Sequence, residues 1–203
     1  THIGHSEKVL FMRVFIAVLV LIFSLQSWTK ADDIKDFEIE GMSIGDSLLD
    51  FMNKSEVKNN TINYFNDERT YYVVGILDQL ELYDQVELYL KTNDKKYEIK
   101  TISGMLIIND LNKCLSKKAA IVKDIDKLFS NIVKQTDIKS HEADLSGNSK
   151  QYIDQYTLDK MNHVRVECVQ WSQKMKDETG YENTLNVVSM SDEVHTWIMN
   201  GYK

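Results

Sequence analysis

The sequence contains no proline, only two cysteines and only three arginines. Without proline, its turns must be built from glycine, asparagine and aspartate. It also lacks the G-x-S-x-G and H-E-x-x-H motifs, a phosphate-cradling glycine loop and a dinucleotide-binding fingerprint. The C-x-x-C motif of thioredoxin-like enzymes is absent as well. The sequence therefore carries no signature of an enzyme, and we expect neither a cofactor nor a metal.

One uninterrupted apolar run, residues 14–23, lies near the N-terminus after two basic residues and before a polar stretch that ends at Ala31. This pattern is typical of a secretory signal peptide. The run is shorter than the roughly 18 residues that a membrane-spanning helix needs. We predict a leader from Met12 to Ala31, with residues 1–11 upstream of it, and a periplasmic or secreted mature chain without a stable membrane span. An uncleaved membrane anchor is the alternative.

The mature chain is acidic, with a net charge of about −9 once residues 1–31 are removed. An acidic surface repels phosphate backbones, which argues against nucleic acid as a partner. The charges of both signs are interspersed, as on an ordinary solvated surface. An envelope or secreted protein is the partner class that remains.

The first half of the mature chain changes from helical to strand-like periodicity. Residues 32–40 have the character of a short first strand. Ser43 and Asp46 form a helix-start signature before apolar residues at helical spacing, which predicts a helix from Ile44 to Met52. Three segments with strand character follow, at 69–76, 85–92 and 96–103. Gly104 predicts a bulge or break after the last of them.

The second half repeats this order. Its strongest helix is predicted from Leu111 to about Lys134, with one apolar stripe and with lysines and aspartates on the other side. A polar loop, 141–148, separates it from the next strands. Strand character returns at 150–158, 163–171 and 184–190, and a helix start at Ser191 opens a closing helix.

Helices and meandering strands without βαβ alternation predict an α+β fold, with an antiparallel sheet and helices packed on one face. The similar content of residues 32–108 and 109–203 suggests two tandem α-β-β-β units, although no repeat is visible at the level of single residues.

The two cysteines are predicted to form a disulfide. Cys114 lies on the apolar stripe of the long helix, and Cys168 lies on the apolar side of its strand with Val164 and Val166. Both sulfurs therefore point toward a helix-on-sheet interface, and export would place them where disulfides persist. Two unlinked buried thiols are the alternative.

Two sets of polar residues are candidates for a site. His163, Arg165 and Glu167 alternate onto the outward side of one strand, and Tyr89 is expected at the surface of another. Aromatic and charged side chains of this kind anchor recognition surfaces, although an ordinary wet sheet face has the same pattern.

The second set, His141, Glu142 and Asp144, gathers a base and two carboxylates in the polar loop. Such groups bind metals or assist acid–base chemistry, but a solvated turn has the same composition.

The segment from Ile39 to Leu49 resembles the opening of small envelope proteins with an α-α-β-β repeat. These include the lipoprotein of the outer-membrane barrel-assembly machinery and the tandem-repeat β-lactamase inhibitor proteins. The chain lacks the lipobox cysteine of the first group.

A longer resemblance, to uncharacterised secreted or periplasmic proteins of marine alphaproteobacteria, is carried by IEGMSIGDSLLDFM, VELYLKTNDKKYEIKTISG, LNKCLSKK and VECVQWSQKMK. That family has no assigned function, so the resemblance implies none for this chain.

The leading hypothesis is a non-enzymatic module that binds another macromolecule through its sheet surface. A small-ligand carrier with a pocket between helices and sheet is the first alternative. A hydrolase that uses His141, Glu142 or Asp144 is the second.

Overall fold

A computed structural model describes residues 33–62, 70–129 and 131–201, so the predicted leader lies outside the described residues. The strands within these ranges are β1 (Thr61–Ile62), β2 (Tyr71–Ile76), β3 (Gln85–Lys91), β4 (Ile99–Ile107), β5 (Lys134–Ser140), β6 (Lys150–Thr157), β7 (His163–Gln170) and β8 (Thr184–Met190). The α-helices are α1 (Lys54–Asn59), α2 (Leu111–Leu128), α3 (Gln173–Thr179) and α4 (Asp192–Met199).

The eight strands form one antiparallel sheet in the order β1-β2-β3-β4-β8-β7-β6-β5. Each half of the sheet is a meander, and the halves join where β4 pairs with β8 from Thr101–Met190 to Ile107–Thr184. The predicted α+β class and antiparallel sheet are confirmed. Residues 32–108 and 109–203 share this sheet and one hydrophobic core, and their tandem duplication stays a prediction.

Helix α2 covers one face of the sheet, here called the α2 face. Its apolar stripe buries Cys114, Val122 and Ile125 in the main core, which also contains Val166 of β7 and Val187 of β8. Removing such side chains from water is the main driving force for this packing.

Helix α4 packs on the opposite side of the sheet, here called the α4 face, so the helices are not confined to the one face expected. Val194 and Trp197 of α4 join Tyr71, Val188 and Met190 in a second, smaller cluster. The Trp197 and Tyr71 rings lie with their centroids 5.0 Å apart. Because β8 contributes side chains to the main core on one face and to this cluster on the other, it is buried on both faces.

The helix predicted from Ile44 to Met52 is wrong: the segment forms only a 3-10 turn at Leu48–Asp50. Its backbone bonds to the start of β4 instead, since the Gly45 N–H donates to the Ile99 carbonyl and the Leu48 N–H to the Tyr97 carbonyl, both at 2.9 Å. Residues 34–36 likewise form a 3-10 turn rather than the predicted first strand.

Four further elements differ in detail from what the sequence predicted. Helix α2 ends at Leu128, six residues before the predicted end, and the polar segment 134–140 forms the edge strand β5. Helix α3 was not predicted. The predicted bulge or break at Gly104 is also wrong, because β4 runs through it and Gly104 pairs regularly with Val86 and Val187. A Cβ at Gly104 would lie 2.7 Å from the Tyr83 ring, so this glycine makes room for that side chain.

The predicted disulfide between Cys114 and Cys168 is confirmed, with the sulfurs 1.98 Å apart and the Cα atoms 6.1 Å apart. It ties α2 to β7 across the α2 face. None of the helices in the described ranges is both long and apolar enough to cross a membrane.

A buried ion pair lies one helical turn from the disulfide. Lys118 lies on the buried side of α2 rather than with the other lysines, and its Nζ donates to the Asp154 carboxylate of β6. The Thr136 hydroxyl of β5 donates to the same carboxylate at 2.5 Å. The pair therefore connects α2 to the outer strands of the sheet.

Replacing both cysteines, Cys114→Ala and Cys168→Ala, should lower the free energy of unfolding by about 4 kcal/mol, because the link closes a 54-residue separation in the unfolded chain. Urea unfolding with and without reductant measures this. The double variant should not respond to reductant. A wild-type protein that does not respond either would contradict the prediction.

For the ion pair, Lys118→Met should lower the free energy of unfolding by about 3 kcal/mol, because it leaves the Asp154 carboxylate buried without its cation. Adding Asp154→Val to that variant should recover most of the loss, since well-packed apolar pairs replace buried ion pairs at little cost. Urea unfolding of the wild type, the single variant and the double variant checks this. A double variant less stable than the single one would refute it.

Candidate functional site

The four side chains predicted to form a binding surface lie on the α4 face of the sheet: Tyr89, His163, Arg165 and Glu167. Directly paired residues of antiparallel strands point to the same face. His163 pairs with Met190, Met190 with Thr101 and Thr101 with Tyr89, so one row crosses the sheet from His163 to Tyr89. Three strand spacings separate the two ends of the row, roughly 14 Å.

These four residues do not form one exposed patch. His163 and Glu167 are buried, with 3% and 4% of their surface exposed, while Arg165 and Tyr89 are half-buried. Tyr89 packs against the cluster around α4. The alternation along β7 predicted which face these residues occupy, but not how deeply they are buried.

Glu167 is the centre of a polar cluster formed by Gln151, Arg165, Glu167 and Asn186. Its carboxylate accepts hydrogen bonds from Gln151 Nε2 at 3.2 Å and from Asn186 Nδ2 at 3.4 Å. Arg165 Nε lies 3.5 Å from the same carboxylate. The buried Asn186 Oδ1 has no hydrogen-bond donor within the described part of the chain. The cluster thus combines a paired charge with an acceptor that is still open.

Three rings packed in sequence at tilts of 44° and 39°, those of His141, Trp171 and Tyr181, lie beside the polar cluster and are here called the aromatic stack. The ring centroids are 4.1 Å apart for His141 and Trp171 and 4.6 Å apart for Trp171 and Tyr181. Tyr181 is 46% exposed, and the other two rings are half-buried. Sequence reasoning missed this stack, because its rings come from the ends of β5, β7 and α3, and no local pattern links them.

Electrostatics connects the stack to the polar cluster. Burial lowers the pKa of His141 below its usual value, against the opposing effect of the Glu167 charge. Its Nδ1 accepts the Ala143 N–H at 3.2 Å, as a neutral ring can. His141 therefore serves the stack as a neutral aromatic ring.

The three residues of the polar loop have different partners and do not converge. The Asp144 carboxylate accepts hydrogen bonds from the hydroxyls of Ser146, Ser149 and Ser172 at 2.6, 2.6 and 2.9 Å. The Ser146 and Ser149 bonds, chiefly, hold its pKa far below its usual range. Asp144 thus fixes the loop in place.

Glu142 is exposed, and its carboxylate lies 4.0 Å from Lys139 Nζ. His141 belongs to the aromatic stack. No group of three or more histidine, cysteine, aspartate or glutamate side chains within the described ranges could hold a metal ion. The three residues therefore do not form one site.

Comparison of the chain with protein-family models, with curated proteins and with solved structures gives no match.

His163 should make the unfolding free energy of the chain depend on pH. Burial lowers the pKa of His163 from 6.5 to about 4, and its ring meets the His195 ring edge-on at 5.2 Å. The unfolded chain takes up this proton near pH 6.5 and the folded chain only near pH 4, so acidification through this window favours unfolding.

Between pH 7 and pH 4.5 the wild type should therefore lose about 2 kcal/mol more unfolding free energy than the variant His163→Gln. Urea unfolding at the two pH values measures the difference. Equal losses for the wild type and His163→Gln would rule out this role of His163.

Proposed function

We propose that this chain is an exported, non-enzymatic binding module that contacts another protein through the aromatic stack and the polar cluster beside it. The observation that carries the proposal is the partly exposed stack, which ends in Tyr181 at the surface and whose His141 ring lies close enough to Arg165 and Glu167 for their charges to act on it. Tryptophan, tyrosine and arginine dominate the binding energy of protein interfaces. Rings that are already stacked lose little conformational freedom on binding.

The polar cluster supports the same function. Asn186 Oδ1 is a buried acceptor without a donor in the described part of the chain, so the cluster has a hydrogen bond still to make. The Arg165 guanidinium is half-buried, and its Nε lies 3.5 Å from the Glu167 carboxylate without a hydrogen bond in the described part of the chain. A partner would therefore meet a cation and an open acceptor beside an aromatic anchor.

Two further observations support an exported protein partner. The Cys114–Cys168 disulfide is of the kind that persists in the periplasm or outside the cell. The chain carries an excess of acidic side chains, which disfavours nucleic acid. The proposal accordingly names an envelope or secreted protein as the partner.

A capture experiment tests the proposal. The immobilised protein is exposed to envelope and secreted fractions of the source organism, and captured proteins are quantified by mass spectrometry. Tyr181→Ala and Arg165→Gln should each reduce capture of the partner at least tenfold, because they remove the exposed anchor and the cation.

The matched control is Leu82→Ala, which truncates an exposed apolar side chain of the β2–β3 loop and should leave capture unchanged. Circular dichroism verifies that all variants are folded. If Tyr181→Ala and Arg165→Gln capture the same proteins in the same amounts as the wild type, the stack and the cluster are not the interface.

A further inference from the structure

A cavity of about 440 Å³ lies outside the binding face described above. It is bounded by the turn at residues 40–42, by the segment from Phe51 to Asn60 and by residues 75–80, at the end of β2 and in the loop that follows. It shares no lining residue with the aromatic stack or the polar cluster. Its volume falls within the range of small-molecule pockets, about 300 to 1,000 Å³.

Apolar side chains form about half of the lining of the cavity. Met42 is buried at its floor, and Met52, Ile76 and Leu80 are partly buried side chains of the main core. At the rim, Phe51 is 46% exposed and Leu77 is 69% exposed. Two large apolar side chains exposed around one concavity are a feature of ligand sites, since an apolar ligand removes them from water.

The charged part of the lining has one sign. Glu40, Glu56 and Asp78 line the cavity, and no lysine, arginine or histidine is among the described residues that do. Glu56 and Asp78 are exposed, and the Glu56 carboxylate also accepts the Asn53 N–H at 2.7 Å. Three carboxylates around one concavity attract a cation and repel an anion.

Glu40 is held ionised at this position. Its carboxylate accepts the N–H groups of Glu81, Leu82 and Tyr83 at 2.9, 2.7 and 3.1 Å. Burial alone would raise the pKa of Glu40, but these three hydrogen bonds bring it below its usual value. The same bonds fix the β2–β3 loop to the N-terminal segment, so the cavity has a preformed wall.

We propose that this cavity binds a small organic cation with an apolar body, of the alkylammonium class. The apolar body lies against Phe51, Leu77 and the methionines, and the cationic end lies among the carboxylates. Methionine side chains adapt to the shape of such a ligand. Nucleotides, carboxylic acids and other anions are excluded by charge.

A titration followed by ¹H–¹⁵N NMR tests the proposal with octyltrimethylammonium as the probe and octanoate as the anion of equal chain length. Octyltrimethylammonium should give saturable shifts confined to the amides of residues 40–42, 51–60 and 75–80. Octanoate should bind at least tenfold more weakly. Shifts spread over the whole surface, no saturation, or equal binding of the two probes would overturn the proposal.

Two variants separate the apolar contribution from the charge. Phe51→Ser, at an exposed rim position that the fold tolerates, should weaken binding of the cation about tenfold. Asp78→Asn should weaken binding of the cation severalfold and reduce the ratio between the affinities for octyltrimethylammonium and octanoate. The control Glu142→Gln, at an exposed carboxylate outside the cavity, should change nothing. An Asp78→Asn variant with an unchanged preference for the cation would overturn the assignment of charge.

The two binding proposals fail separately. Tyr181→Ala should leave the affinity for octyltrimethylammonium unchanged, because Tyr181 does not line the cavity. Phe51→Ser should in turn leave protein capture unchanged.

Discussion

The pairing of β4 with β8 is the constraint on which the rest of the molecule depends. Seven cross-strand pairs join two four-stranded meanders that would otherwise each end in an open edge of apolar strand. Leu185 and Val187 of β8 contribute to the core under α2, while Val188 and Met190 contribute to the cluster under α4. Because this central strand is covered on both faces, both helices and both halves of the sheet are positioned by one seam.

The sequence predicted those strands and strand faces that depend on the local periodicity of apolar residues. Alternation of apolar and polar residues placed β8 at its observed bounds and assigned the faces of β7 correctly, since successive strand side chains point to opposite sides. The disulfide followed from the same reasoning, because Cys114 and Cys168 each lay on the apolar side of an element. Helix α4 also begins directly after Ser191, as predicted, although the Ser191 hydroxyl makes no capping hydrogen bond in the described part of the chain.

The features that the sequence did not reveal depend on distant partners. The segment 44–52 has a helix-start signature, but the start of β4 competes successfully for its backbone hydrogen bonds. The sequence alone predicts a solvated side chain for Lys118, because it does not show that Asp154 faces this lysine. The polar strand β5 gains its conformation from pairing with β6. The aromatic stack and the cavity beside Phe51 are each formed by three separate segments of the chain, so no spacing in the sequence predicts them.

Helix α2 is attached to the sheet by two links of different chemistry only four residues apart. The Lys118–Asp154 ion pair does not depend on the redox state, whereas the Cys114–Cys168 bond does. The ion pair and the apolar stripe therefore bring the two thiols together in the reduced protein and give them a high effective concentration. An oxidant that reaches the folded chain then joins two thiols that already lie close together. The disulfide therefore stabilises a geometry that the fold has already adopted.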